Sequence, residues 1–173
     1  MLKSKDILTL EPDMLWQIER GVVRSLSWDE DGRSFTLGFW GIGDVVGYPL
    51  SRIRPYQVEC LTEVQVTRLS PDSHDLQQAL LVHAWKSEEL LKIIHRPLVT
   101  DRLLQLLQWL ASHFGKPVTQ GTLLDLRLTH QDLADTIGST RVSVTRLLQQ
   151  LEREGRIRRS QRHFILHTYS IPV

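Results

Sequence analysis

Residues 128–157 read LTHQDLADTIGSTRVSVTRLLQQLEREGRI, and the side chains here that could do chemistry are hydrogen-bond donors. Arg141 stands at the start of a predicted helix, with Val142, Thr145 and Arg146 on one side of it. An arginine in that place offers a fork of donors that fits the O6 and N7 of one guanine. Val142 has no hydrogen bond to give, so in a major groove it makes apolar contact, most usefully with a thymine methyl. Arg146, one turn on, reaches a second base edge or a phosphate, while Thr145, Arg158, Arg159 and Arg162 suit the DNA backbone. Thr129, His130 and Gln131 before it, with Ser139, Thr140 and Ser143 around the second helix start, complete the candidate DNA-binding set.

Such a set works only if the chain holds one helix start at a fixed angle. Thr129 is placed to cap a short helix, and Asp132 three residues on nearly completes a capping box. Leu133, Ala134 and Ile137 are expected to face inward, and Gly138 to supply the tight turn. Ser139 or Thr140 caps the next helix, which is predicted to run to about Glu154. On it, Val144, Leu147, Leu148 and Leu151 form the apolar stripe that docks on a core. RIRRSQRHFILHTY then reads as two short strands around SQR, a basic hairpin wing. Helix, glycine turn, longer helix and hairpin make a winged helix-turn-helix.

The charge distribution agrees. Residues 1–114 hold 12 Lys and Arg against 15 Asp and Glu, a net of −3; residues 115–173 hold 9 against 5, a net of +4. The +1 of the whole chain therefore hides a basic C-terminal third, the footprint of a module that meets phosphates.

The first part reads as strands. MLWQIERGVVRSLSW and RSFTLGFWGI are β-branched and aromatic runs separated by the turn signal DEDG. Glycines at 38, 41, 43 and 47 have neither P-loop nor Rossmann spacing and mark corners of a small fold. YQVECLTEVQVTRLS adds one or two strands, so residues 1–70 are expected to form a small antiparallel barrel or sandwich. The period then changes after Pro71, with Ser73 a plausible helix cap. Leu76, Leu80, His83, Ser87, Leu90, Ile94 and Leu98 recur at alternating spacings of three and four. That is the seam of a two-stranded coiled coil or, equally, the face of a helix that packs on its own barrel. Pro97 predicts a break, and a second helix follows through TDRLLQLLQWLASHFG to Gly115.

Composition limits the function classes. The chain of 173 residues is 41% hydrophobic and has no unbroken apolar run of membrane-spanning length; its N-terminus has no signal-peptide core. A cytoplasmic protein with no membrane partner is expected. One cysteine, Cys60, excludes a disulfide framework within the chain. A cupin-like barrel enzyme would need clustered histidines, yet residues 1–73 contain none, and those at 74, 83, 95, 113, 130, 163 and 167 lack metal-ligand spacing. No metal, cofactor or catalytic group is expected. A haem or small-molecule sensor using Cys60 or His74 stays open as an alternative.

Barrel, long helix and winged helix-turn-helix in that order resemble the Crp/Fnr family of transcription regulators. LWQIERGVVR and FWGIGDVVGYPL are similar to the family's barrel strands. LDLRLTHQDLADTIGSTRVSVTRLLQQLEREGRI resembles most specifically the helix-turn-helix of the global nitrogen regulators of cyanobacteria. The resemblance implies an α+β chain: a cyclic-nucleotide-binding-like jelly roll over 1–72, shortened at its N-terminus, a dimerisation helix and hinge over 73–114, and a winged helix-turn-helix over 115–173. It implies a homodimer joined through Leu80, His83, Ser87, Leu90, Ile94 and Leu98. A palindromic double-stranded DNA site with GTA and TAC half-sites follows, with RNA polymerase or another regulator as partner. Cyclic-nucleotide-binding relatives hold their ligand with a glycine–glutamate and an arginine–serine pair; Gly47-Tyr48 and Arg54-Pro55 stand in the matching places. The acid that would accept the ribose hydroxyl is missing, so dependence on cyclic AMP is not expected. In the nitrogen regulators an oxoacid is held by two arginines, which makes Arg54 and Arg96, with Gly47 and Tyr48, the candidate effector set.

Overall fold

A computed structural model describes residues 1–70, 74–160 and 163–167. The expected cap Ser73 and the candidate phosphate contact Arg162 lie outside the described residues. The chain divides into two compact units, Met1–Lys92 and Ile93–Val173.

The first unit is built from two three-stranded antiparallel sheets. β1 (Leu15–Arg20) runs between β4 (Val45–Val46) and β6 (Gln65–Leu69), and β2 (Val23–Trp28) runs between β3 (Ser34–Trp40) and β5 (Gln57–Cys60). Of the two expected arrangements this is the sandwich-like one: the strands form two sheets and not one closed barrel. Both sheets feed one core, in which Ile18 and Val46 meet Val23, Trp40, Val58 and Cys60. Alternation explains the inward set on β5, where Val58 and Cys60 are buried and Gln57 and Glu59 are half-buried. β2 is covered on both faces, because Arg24 is also buried, donating to Glu59 Oε2 at 2.8 Å. Lys5, on the segment bridged to β5 through Ile7 and Glu59, adds a 3.1 Å ion pair to the same carboxylate.

α1 (His74–Ile94) lays one row of side chains against this unit. Leu76 and Ala79 join Leu15, Val45 and Leu69 in a second apolar cluster. His83 stacks on Trp40 with ring centroids 3.8 Å apart and planes 6° apart, and Trp40 Nε1 donates to Ser25 Oγ at 2.9 Å. Lys86 pairs with the buried carboxylate of Asp44, which also accepts from the Gly41 amide at 2.6 Å. Leu90 continues the row and is buried.

Two residues of the expected dimer seam lie on that row. His83 and Leu90 belong to the face that the chain itself covers, because Trp40 supplies a stacking partner that the period alone does not reveal. Leu98 lies beyond the end of α1 and caps the next helix. The open row runs one residue later at two places: Leu80, Ala84, Ser87, Leu91 and Ile94 share a helix face at spacings of four and three. Leu80 and Leu91 on it are 39% and 53% exposed.

The helix stops at Ile94, in the stretch where Pro97 predicts a break, and α2 (Val99–Phe114) follows. α2 buries Leu103, Leu106, Leu107 and Leu110 within the second unit, against α3, α4, β8 and β10. The division into compact units falls at Lys92 and Ile93, so α2 lies in the second. The Gly115 amide closes α2 on the Ala111 carbonyl at 2.9 Å. A hairpin of β7 (Lys116–Val118) and β8 (Gly121–Leu124) then joins the wing strands β9 (Ile157–Ser160) and β10 (His163–Leu166) in one sheet, ordered β7-β8-β10-β9. The wing matches expectation; the first hairpin is additional.

Candidate nucleic-acid interface

α3 (His130–Ile137) is too short to persist alone, so its ends and its buried face must hold it. Thr129 and Asp132 form the complete capping box: Thr129 Oγ1 accepts from the Asp132 amide at 3.0 Å, and Asp132 Oδ2 from the Thr129 amide at 2.7 Å. A cap of this kind contributes about 1 kcal/mol. Leu133, Ala134 and Ile137 are buried as expected. Gly138 turns the chain at φ 63°, a left-handed conformation that favours glycine, and the Ser139 amide returns to the Ala134 carbonyl at 3.0 Å.

α4 (Arg141–Arg153) begins immediately after. Of the two candidate caps Thr140 is the one used, its Oγ1 accepting from the Ser143 amide at 3.1 Å. Val144, Leu148 and Leu151 are buried, whereas Leu147 is only half-buried. Each fully buried leucine contributes roughly 1.5–3 kcal/mol, enough to fix the roll of the helix about its axis. The roll leaves Arg141, Val142, Arg146 and Gln149 exposed together, with Val142 77% exposed.

The polar side chains around that surface are ordered by one another. Thr145 Oγ1 donates to the Arg141 carbonyl at 2.9 Å and lies 2.8 Å from His130 Nδ1, which links the start of α3 to α4. Burial, then the nearby Arg159 and Arg141 cations, push the His130 imidazole below its ordinary range. Gln131 Nε2 donates to Asp135 at 2.6 Å. In the wing, Arg159 pairs with Glu152, whose carboxylate also accepts from the Arg159 amide at 3.1 Å; the side-chain bond leads in holding Glu152 below the usual carboxylate range. Arg158 Nη1 donates to Gln120 Oε1 at 3.1 Å, a partner on the turn between β7 and β8.

Two contributors escape sequence reasoning. Gln120 lies in a hairpin whose short, Pro-containing first strand carries no alternation. Arg102 on α2 donates from Nη1 to the Ile137 carbonyl at 3.1 Å and from Nε to the Arg96 carbonyl at 2.6 Å. It holds the last carbonyl before the turn glycine, yet nothing in its sequence neighbourhood marks it.

The effector set divides. Tyr48 and Arg54 line a cavity of about 620 Å³ in the first unit, with Leu8, Leu10, Trp28 and Tyr56 among the other walls. The Arg54 guanidinium lies over the Tyr48 ring, 4.9 Å from its centroid, and its Nη1 donates to the Ser51 and Ile53 carbonyls at 2.7 and 2.8 Å. Gly47 (φ 151°) passes so close to the Met14 carbonyl that a Cβ would stand 2.4 Å from it. That requirement for glycine is structural. Arg96 belongs to the second unit, donates to Gln105 Oε1 at 3.2 Å, and is not among the residues lining this cavity.

Known proteins place this geometry. Regulatory protein CysR of Synechococcus elongatus is 41% identical to this chain over 157 residues, 89% of this chain and 76% of the relative. A family profile described as a Crp-like helix-turn-helix domain matches residues 101–169. The chain belongs to the Crp/Fnr family of transcription regulators. The likeness of this regulator to the global nitrogen regulator of Synechocystis, 41% identical over 78 residues, is confined to 45% of the chain. A CRP-family transcriptional regulator from Thermus thermophilus superposes with a TM-score of 0.81 at 26% identity, over 96% of this regulator and 91% of that chain. The profile begins inside α2, consistent with α2 belonging to the unit that carries the helix-turn-helix.

Among the described residues no group of histidines, cysteines and acids could hold a metal ion, and no helix is long and apolar enough to cross a membrane. Cys60 is buried, and burial, with Asp6 and Glu59 nearby, raises its thiol to about 11.

Proposed function

We propose that this regulator is a cytoplasmic homodimer that reads a palindromic DNA site of GTA-like and TAC-like half-sites, one α4 per half-site. The observation that carries the reading is the exposure of Val142. A valine 77% exposed beside Arg141 and Arg146, on a helix whose opposite face is buried, has no use within its own chain. In a major groove the same trio reads a guanine and a thymine methyl, with Thr129, His130, Gln131, Ser139, Thr140, Ser143, Thr145, Arg158, Arg159 and Arg162 on the backbone. The two-fold partner joins along Leu80, Ala84, Ser87, Leu91 and Ile94 of α1. Its output partner is RNA polymerase or another bound regulator. Selection from a random DNA pool tests the reading: recovery of GTA and TAC separated by about one helical turn supports it. Recovery of unrelated sequences rejects it.

We further propose that regulation does not require cyclic AMP. Tyr48 stands where an acid would accept a ribose hydroxyl, and Arg54 is already engaged by two carbonyls and an aromatic face. The cavity beside them favours a second reading, that an effector of another class binds there. Calorimetry with cyclic AMP, cyclic GMP and 2-oxoglutarate separates the two. No nucleotide binding tighter than millimolar is expected, and micromolar cyclic AMP binding would sink the first.

A further inference from the structure

The Thr145 hydroxyl has one proton, and it goes to the Arg141 carbonyl at 2.9 Å. Its 2.8 Å contact with His130 must then run the other way, from an Nδ1–H of the imidazole to Oγ1. This fixes the tautomer: a neutral His130 carries its lone pair on Nε2. Among the described residues Nε2 has no hydrogen-bond partner, and it is not among the polar atoms sealed from solvent. The charged groups facing the ring are Arg141 from α4 and Arg159 from β9, the latter paired with Glu152. On its own helix the nearest acids are committed elsewhere, Asp132 to the capping box and Asp135 to Gln131. His130 is thus a neutral ring with an open acceptor, set between two cations at the surface assigned to DNA.

We propose that His130 is a proton-linked phosphate ligand: Nδ1–H stays on Thr145 while Nε2 takes a proton from solvent as a DNA phosphate docks against it. The proposal rests on the DNA-reading assignment of α4. Before binding, burial penalises the charged ring, and the Arg159 and Arg141 cations further disfavour a third positive charge. A docked phosphate reverses the balance. It neutralises those cations and accepts a charge-assisted bond from Nε2–H, while a lone pair at that position would only repel it. One proton is therefore taken up for each recognition helix that docks.

The test uses the full-length protein, a duplex with the selected palindrome, and fluorescence anisotropy at pH 6, 7 and 8 in constant salt. Affinity should rise as pH falls, by up to about tenfold per pH unit for each proton taken up. His130→Gln keeps a donor for Thr145 and cannot titrate; it should bind as the wild type does at pH 8 and lose the slope contributed by His130. In NMR spectra of isotopically labelled histidine, the His130 ring should be neutral at pH 7 when free and doubly protonated in the complex. An unchanged pH slope in His130→Gln, or a neutral ring in the complex at pH 6, overturns the proposal while leaving DNA reading intact. Absence of sequence-specific binding at every pH overturns both.

Discussion

Arg141 and Arg159 carry the same charge into different work. Arg141 stands exposed at the start of α4, where its fork can meet one base, while Arg159 is tied to Glu152 in the wing. Arg141→Ala should cost roughly 1–3 kcal/mol on the selected site and relax selectivity at the guanine alone. Arg159→Ala should weaken all sequences alike and flatten the dependence of affinity on salt. Anisotropy on matched and single-mismatch duplexes at two salt concentrations checks both, and equal loss on all DNA for Arg141→Ala would refute its role. In the first unit His83 offers a pH test. Burial against Trp40 pushes its imidazole below the ordinary 6.5, outweighing the backbone bond to Val45 and the charge of Asp44. The unfolded chain then takes up a proton that the folded chain refuses. The contribution is complete above about pH 6.5 and is lost as pH falls from there towards the lower folded-state value. Urea midpoints of the first unit should drop between pH 7 and 5, and His83→Gln should remove most of that drop.

The two rows of α1 show how much an element can hide. Leu90 is 4% exposed and its neighbour Leu91 is 53% exposed, although a hydropathy pattern treats them alike. Leu91→Glu should leave the circular dichroism spectrum unchanged and give monomers in analytical ultracentrifugation, because it sets like charges across the proposed seam. Leu90→Glu should instead destabilise the chain itself, by burying a carboxylate without a partner. A dimeric Leu91→Glu protein would count against the seam. The sequence could not choose between the expected seam and the open row, since both have three-and-four spacing and share Leu80, Ser87 and Ile94. The partner that covers His83 is the distant Trp40, which no local period encodes. By contrast, the Thr129–Asp132 box, the Gly138 turn and the buried stripe of α4 were legible, because caps, left-handed turns and helical periodicity are local. The β7–β8 hairpin was not. Lys116–Val118 is exposed throughout and contains a proline, so it carries neither alternation nor β-branched run.

At the scale of the whole molecule, the boundary at Lys92 and Ile93 matters for any attempt to isolate the DNA-binding part. A fragment from Ile93 onward keeps α2 and its buried leucines, and should unfold cooperatively in a thermal melt. One starting at Gly115 lacks Leu103, Leu106, Leu107 and Leu110 and should fail to fold; cooperative melting of that shorter piece would show that α2 is dispensable. Within the longer piece, Arg102 grips the Arg96 carbonyl, in the connection between α1 and α2, and the Ile137 carbonyl, at the turn that aims α4. Lysine keeps the charge but has no planar fork for two acceptors at once. Arg102→Lys should therefore leave the fold intact while hydrogen exchange accelerates at the turn and the connection together. One planar group thus bonds two carbonyls that lie 41 residues apart in the chain, so the turn before α4 is tied to the start of its unit by a side chain as well as by the leucine packing of α2.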